Sequence, residues 1–266
     1  MRILALHGYT QNAHILSKRL GAIRKACGKD CEFVFLDGPI ILSKTDMKMF
    51  GTANLEATQI EEEPTDPELI PRAWWKRADD GNTYRGFDST IQYIRDFLVK
   101  QEQPFDGIIG FSQGSGLAAM LTALLERPRE AAKFDLLVDG KMPHPPFEFC
   151  VLVSGFLPND PLLARVITNA SDDKPPGIHT RTLHIVGNTD ILVTPEKSQS
   201  LIDHSRNARV ERHAGGHFIP ATGPWRQFFK SYFNAVDDNE AAALPSPAIS
   251  SAPVSGTSTP AQQAAL

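Results

Sequence analysis

Short apolar runs alternate with longer amphipathic stretches along this chain, and the alternation predicts its architecture. Arg2–Leu6 is an apolar run closed by the polar loop His7-Gly8-Tyr9-Thr10-Gln11-Asn12, and Glu32–Leu36 is a second, stopped by Asp37-Gly38-Pro39. Between them, residues 14–27 carry Ile15, Leu16, Leu20 and Ile23 at helical spacing. Further strands are predicted at 105–109, 147–156, Arg181–Gly187 and 209–212. Helices are predicted at 86–101, with Phe87, Ile91, Ile94, Phe97 and Leu98 on one face, from Gln113 onward, at 195–204 behind Thr194, and at about 224–236. Strand, helix and strand in repetition imply an α/β protein with a mainly parallel central sheet of about six strands and helices on both faces.

Three stretches break the rhythm. The connection over about 40–86, rich in Pro, Asp, Glu and Thr, exceeds the two to six residues that a strand-to-helix link needs, and it reads as a lid-like insertion. Residues 127–146 form another long irregular connection with Pro128, Pro143, Pro145 and Pro146. From 237 to 266 the composition shifts to Ala, Pro, Ser and Thr, which buries too little apolar surface to offset ordering entropy. A folded domain over 1–236 and a disordered tail over 237–266 are therefore expected.

Composition narrows the function. A chain of 266 residues is long enough for one sizeable α/β core, and a net charge of −4 with pI near 6.1 offers no electrostatic footprint for nucleic acid or an anionic membrane. A small molecule is the expected partner. No apolar run reaches transmembrane length and the chain enters a strand directly after Met1, so neither a membrane span nor a signal peptide is expected, and the cytosol or nucleus is the expected location. Cys27, Cys31 and Cys150 are odd in number and read as reduced thiols. The pairs Cys27-x₃-Cys31 and His213-x₃-His217 lie nearly the whole chain apart, unlike the halves of a zinc finger, so no metal is expected. Nothing in the pattern specifies an oligomeric state.

The candidate chemistry centres on Ser112. The buried run before it gives way to a helix of small and apolar residues after it, and Gly110-x-Ser112-x-Gly114 at such a junction has the form of a nucleophile elbow. A rival pattern, Gly114-Ser-Gly116-Leu-Ala-Ala119 with Asp135, fits a relaxed dinucleotide fingerprint, but its first glycine does not follow the strand directly. In a parallel sheet, functional groups gather in loops at the carboxyl ends of strands. There Ser112, Asp190 and His217 follow one another in the order that a serine hydrolase with an α/β fold uses. His217 would take the Ser112 proton and Asp190 would hold the imidazole. Asp37 competes with Asp190 but precedes the serine, and His213 competes with His217, which follows the flexible pair Gly215-Gly216. His184 lies inside a strand and reads as a core residue, and His7 as a loop-shaping one. The backbone N–H groups of Gln113 and Tyr9 would form the oxyanion hole. Trp74 and Trp75, in the apolar spot of the insertion, would either wall a substrate pocket or anchor the insertion to the core.

Leu6-His-Gly-Tyr-Thr-Gln-Asn12, Arg72-Ala-Trp74, Asp106-Gly-Ile-Ile-Gly-Phe-Ser-Gln-Gly114, Asn188-Thr-Asp190 and Gly215-Gly-His217 together resemble the family of serine hydrolases (FSH) within the α/β-hydrolases, over about 1–236. The resemblance implies an α/β-hydrolase fold, a cytosolic or nuclear esterase without cofactor, and a triad of Ser112, Asp190 and His217. Some members of that family in fungal metabolite clusters are thioesterases that release polyketides, so an ester and a thioester substrate both fit. The rival from another class is a ligand-binding module on the same fold without turnover, against which the intact triad counts.

Overall fold

The computed structural model of the protein describes residues 1–49, 66–169 and 175–247. In chain order the elements are β1 (Arg2–Leu6), α1 (Ala13–Arg19), α2 (Gly21–Cys27), β2 (Glu32–Leu36), β3 (Ile40–Ile41), α3 (Lys44–Met49), β4 (Arg72–Ala73), β5 (Lys76–Arg77), β6 (Tyr84–Arg85) and α4 (Phe87–Val99). They continue with β7 (Gly107–Phe111), α5 (Gln113–Leu125), α6 (Pro128–Lys133), β8 (Phe149–Val153), α7 (Pro161–Thr168), β9 (Arg181–Gly187), α8 (Pro195–Ile202), β10 (Ala208–His213), α9 (Gly223–Asn234) and α10 (Asp238–Ala243).

Six strands form one sheet in the order β10-β9-β8-β7-β1-β2, every neighbouring pair parallel. The chain starts at β1, moves outward to β2, then returns to β7 on the other side of β1 and proceeds to the opposite edge. The order therefore reverses between β1 and β7, and the crevice at their carboxyl ends is the natural ligand position in an open α/β sheet.

Alternation along each strand divides the core into two layers. Leu4, Leu6, Ile108, Cys150 and Leu152 face the cluster covered by α4, α5 and α7. Ile3, Ala5, Ile109, Val151, Val153, Leu183 and Ile185 face the cluster built with α2 and α9, where Trp225, Phe228, Phe229, Tyr232 and Phe233 supply most of the aromatic bulk. Every residue of α5 is buried, which explains its lack of a polar face: it is sandwiched between the sheet and α6 and α7.

Several boundaries differ from the sequence reading. The expected helix over 14–27 is two helices hinged at Leu20, whose N–H still reaches the Leu16 carbonyl while its ψ of 0° ends the regular spiral before Gly21. The irregular stretch 127–146 contains α6, because Pro128 sits at the first helical position, where a missing N–H costs nothing. Asp160 and Pro161 start α7 in the same way, with the Asp160 carboxylate accepting from the Leu162 N–H at 2.9 Å.

The expectation of an unstructured segment from residue 237 is corrected for 237–247. Asp237 caps α10 by accepting from the Glu240 N–H at 2.8 Å, and the Arg209 guanidinium on β10 donates to the carbonyls of Ala241 at 2.5 Å and Leu244 at 2.7 Å. Composition concealed this because the segment is held by charge-assisted hydrogen bonds to β10 rather than by large apolar side chains. Residues 248–266, and residues 50–65 of the insertion, lie outside the described residues. No described helix is long and apolar enough to cross a membrane.

His184 occupies the core, as its place within a strand predicts. Its Nε2 lies 3.2 Å from Thr182 Oγ1 and 3.1 Å from Ser205 Oγ, and burial lowers its pKa to about 3. The unfolded chain takes up this proton near pH 6.5 while the folded one does not, so stability present above 6.5 is lost as the pH falls. Between pH 7 and pH 5 the loss from this residue is about 2 kcal/mol. Denaturant unfolding of His184→Gln at the two pH values is expected to show a fall smaller than wild type by about that amount; an equal fall would refute the assignment.

Candidate functional site

Ser112 stands between β7 and α5 with φ 53° and ψ −116°, a left-handed conformation uncommon for any residue with a side chain. Its N–H donates to the Val153 carbonyl at 2.9 Å and its carbonyl accepts from the Ser115 N–H at 2.9 Å. Ser115 Oγ lies 2.7 Å from the Gly110 carbonyl and 2.8 Å from that of Val153, fastening the first turn of α5 onto the ends of β7 and β8. The two glycines of the pattern are required by contact. A Cβ on Gly110 would sit 2.3 Å from the Gly114 carbonyl oxygen, and one on Gly114 would sit 2.2 Å from that of Leu6. Strand and helix therefore approach more closely than side chains permit. The loop after β1 closes on the same spot, since a Cβ on Gly8 would lie 3.3 Å from Ser112 Cβ.

Gln113 has two tasks in different parts of the residue. As the first residue of α5, its backbone N–H has no acceptor within the helix and lies directly beside Ser112 at the positive end of the helix dipole. Its side-chain amide accepts from the Trp74 N–H at 2.9 Å and donates to the Trp75 carbonyl at 2.8 Å. Tyr9 belongs to the loop after β1, beside Gly8.

The two tryptophans do not form an open wall. Trp74 and Trp75 are 0% and 2% exposed; Trp74 Nε1 donates to the His7 carbonyl at 2.8 Å, and Trp75 stacks on Tyr84 with centroids 4.8 Å apart. The substrate-wall alternative is corrected accordingly. Indoles this large stabilise the fold most when fully covered, and here they anchor the insertion to the sheet.

Asp190 follows β9 and His217 follows β10, and the structure brings them into contact, with His217 Nδ1 2.7 Å from Asp190 Oδ2. The same carboxylate accepts from Ser154 Oγ at 2.9 Å through Oδ2 and from the N–H groups of Leu192 at 3.0 Å and Val193 at 2.9 Å through Oδ1. Burial pushes the Asp190 carboxyl up, but the hydrogen bond and charge of His217, with the Val193 N–H and the Ser154 hydroxyl, outweigh it and hold the group below the usual carboxylate range. Gly187 makes the loop crossing possible, because a Cβ there would lie 2.4 Å from the Gly216 carbonyl oxygen. The His217 ring packs on Phe111, the residue before Ser112, at 4.9 Å between centroids. The Ser112 hydroxyl makes no hydrogen bond to His217 among the described residues; such bonds commonly tighten only when substrate arrives.

The competing residues are employed elsewhere. Asp37 accepts from the Ala13 N–H at 2.7 Å, at the start of α1. His7 Nε2 accepts from the Gly38 N–H at 2.8 Å, and burial lowers its pKa to about 4. His213 packs between Phe218 and Trp225 and accepts from the Gly215 N–H at 3.2 Å, its pKa lowered by burial. The dinucleotide pattern dissolves too: Gly114 is pressed against Leu6, and Asp135 pairs with Arg95 at 2.9 Å on the surface. Among the described residues no group of three His, Cys, Asp or Glu is placed to hold a metal ion.

Sequence reasoning missed Ser154 and the exposed pair Ile191 and Phe218. Ser154 was legible only as the first polar residue after the buried run of β8. Ile191 and Phe218 each follow a site residue directly and are 78% and 44% exposed.

Comparison with known proteins identifies the family and the fold. A family model described as Serine hydrolase (FSH1) matches residues 1–229. The chain is 31% identical to esterase OVCA2 of Bos taurus over 247 residues, which is 90% of this chain and 97% of the relative. It is 28% identical over 258 residues to a protein of Schizosaccharomyces pombe named dihydrofolate reductase, matching 92% of this chain but only 49% of that relative's length. Among solved structures, Zea mays acyl-protein thioesterase 2 superposes with a TM-score of 0.57 at 16% identity, over 88% of this chain and 92% of the other, a likeness of fold.

Gly114→Ala would drive a methyl group into the Leu6 carbonyl. The expected outcome is a loss of about 1–3 kcal/mol in chemical denaturation. Retention of wild-type stability would contradict the close approach.

Proposed function

This chain belongs to the serine hydrolase (FSH1) family, and from that premise we propose that it cleaves esters or thioesters with an apolar acyl part through an acyl-serine intermediate on Ser112. The observation that carries the reading is the His217–Asp190 pair, built at the same carboxyl edge of the sheet as the strained serine. A neutral hydroxyl is a weak nucleophile, so attack requires a base. With Nδ1–H donated to Asp190, His217 presents Nε2 as that base. It accepts the Ser112 proton as Oγ bonds to the substrate carbonyl, and Asp190 stabilises the resulting imidazolium. The tetrahedral oxyanion is met by the N–H of Gln113 at the helix start and by the N–H of Tyr9 in the loop after β1. The imidazolium then protonates the departing alcohol or thiol, and water, activated by the same base, releases the acid and restores Ser112.

The preference for an apolar acyl part takes its support from Ile191 and Phe218, exposed apolar residues that directly follow Asp190 and His217 in the sequence. The proposed substrate is a small molecule, and the chemistry needs neither metal nor cofactor.

A panel of p-nitrophenyl esters and acyl thioesters of graded length tests the reading. Ser112→Ala and His217→Ala are expected to reduce kcat by about 10⁴-fold or more. A hydrolysis rate indifferent to both, or no serine-dependent hydrolysis at all, would favour the binding-module alternative. Replacing Ile191 and Phe218 together by Asn and Ser is expected to raise KM about tenfold for long acyl chains while leaving short ones unchanged; an equal change for both would remove their role in specificity.

A further inference from the structure

Ser154 is neither nucleophile nor base in the reading above, yet it is 1% exposed and its hydroxyl donates to Asp190 Oδ2 at 2.9 Å, the oxygen that His217 Nδ1 approaches to 2.7 Å. Its backbone is unusual too. Ser154 has φ 49°, left-handed like Ser112, at the end of the adjoining strand, and its N–H is tied to the Ile185 carbonyl at 2.9 Å. The Gly155 carbonyl that follows accepts from Ser198 Oγ on α8 at 2.9 Å. The turn is thus fixed from β9 and from α8, and the fixed turn aims the hydroxyl.

We propose that Ser154 is a positioning residue that locks the Asp190 carboxylate in plane and moderates its hold on the His217 imidazolium, an inference that rests on the triad reading. With Oδ1 held by two backbone N–H groups and Oδ2 by two side chains, the carboxylate cannot turn away from His217. The serine hydrogen bond also draws on the charge of Oδ2. Without it, more charge rests on Oδ2 and Asp190 binds the imidazolium more strongly. Because catalysis requires neutral His217 in the free enzyme, the acidic limb of kcat/KM then moves to higher pH.

Of the other groups near this pair, His213 has its pKa lowered by burial, which outweighs the Asp190 charge that it also feels. His213 at the end of β10 is buried against Phe218 and Trp225, and Lys197 of α8 donates to the Leu192 carbonyl at 3.0 Å. Glu196 of α8 and Arg212 of β10 stand on the solvent side, and His7, Asp37 and Arg72 belong to the network around β1 and β2.

The test compares full-length wild type, Ser154→Ala and Ser154→Gly, with p-nitrophenyl ester hydrolysis measured from pH 5 to pH 9. Glycine tolerates the positive φ without strain, so Ser154→Gly removes the hydroxyl while preserving the turn even if alanine disturbs it. Expected for both variants is a fall in kcat of about three- to thirtyfold, KM within about twofold, and an acidic limb displaced upward by about 0.5–1 pH unit. An unmoved limb, whether or not kcat falls, would overturn the proposal and leave Ser154 with a structural part only. Absence of any Ser112-dependent hydrolysis in the wild type would instead overturn the functional reading on which the proposal rests.

Discussion

The close approach of β7 and α5 is the constraint on which the rest of the structure depends. Only because Gly110 and Gly114 lack side chains can the helix begin within van der Waals contact of the strand ends, with the Leu6 carbonyl against Gly114. That proximity forces the intervening residue into φ 53°, and the residue so forced is Ser112. The strain is maintained by its surroundings: the Ser112 N–H is tied to Val153, Ser115 spans two carbonyls, and α5 is buried along its whole length. Local strain of about 1–3 kcal/mol persists at such a site because many contacts over-determine it.

From that junction the remaining parts follow by topology. The reversal of strand order between β1 and β7 puts the Gly8-Tyr9 loop beside the elbow, and the successive strands β8, β9 and β10 deliver Ser154, Asp190 and His217 to the same edge. Gln113 joins the elbow to the insertion, since it opens α5 directly after Ser112 while its amide grips both tryptophan backbones. Disturbing the insertion would therefore be felt at the first residue of α5, with no contact to substrate required. Asp190 is buried yet ionised because four hydrogen bonds replace the water it loses.

Much of this was legible in the sequence, for physical reasons that differ by element. The six strands were legible because strands of a covered parallel sheet are largely continuous apolar runs, although their order in the sheet was not, and α5 was legible because the small residues after Ser112 fit a covered helix. Ser112, Asp190 and His217 were legible as polar residues at strand ends, and the structure brings Asp190 to His217 across 27 positions of sequence. What stayed hidden depended on partners distant in the chain. The buried state of Trp74 and Trp75 is set by Gln113 and His7, α10 by Arg209, and Ser154 by a carboxylate 36 residues onward. Pro128 hid α6 for a local reason, since the residue that breaks a helix interior is well suited to a first helical turn.

The central claim is that Ser112 is the activated nucleophile of this fold, and covalent trapping tests it most directly. Incubation of the folded protein with a fluorophosphonate, followed by peptide mass spectrometry, should show one phosphonyl group per chain on the Ser112 Oγ, with labelling abolished in Ser112→Ala and strongly slowed in His217→Ala. Labelling that persists in Ser112→Ala, or maps to another residue, would contradict the account.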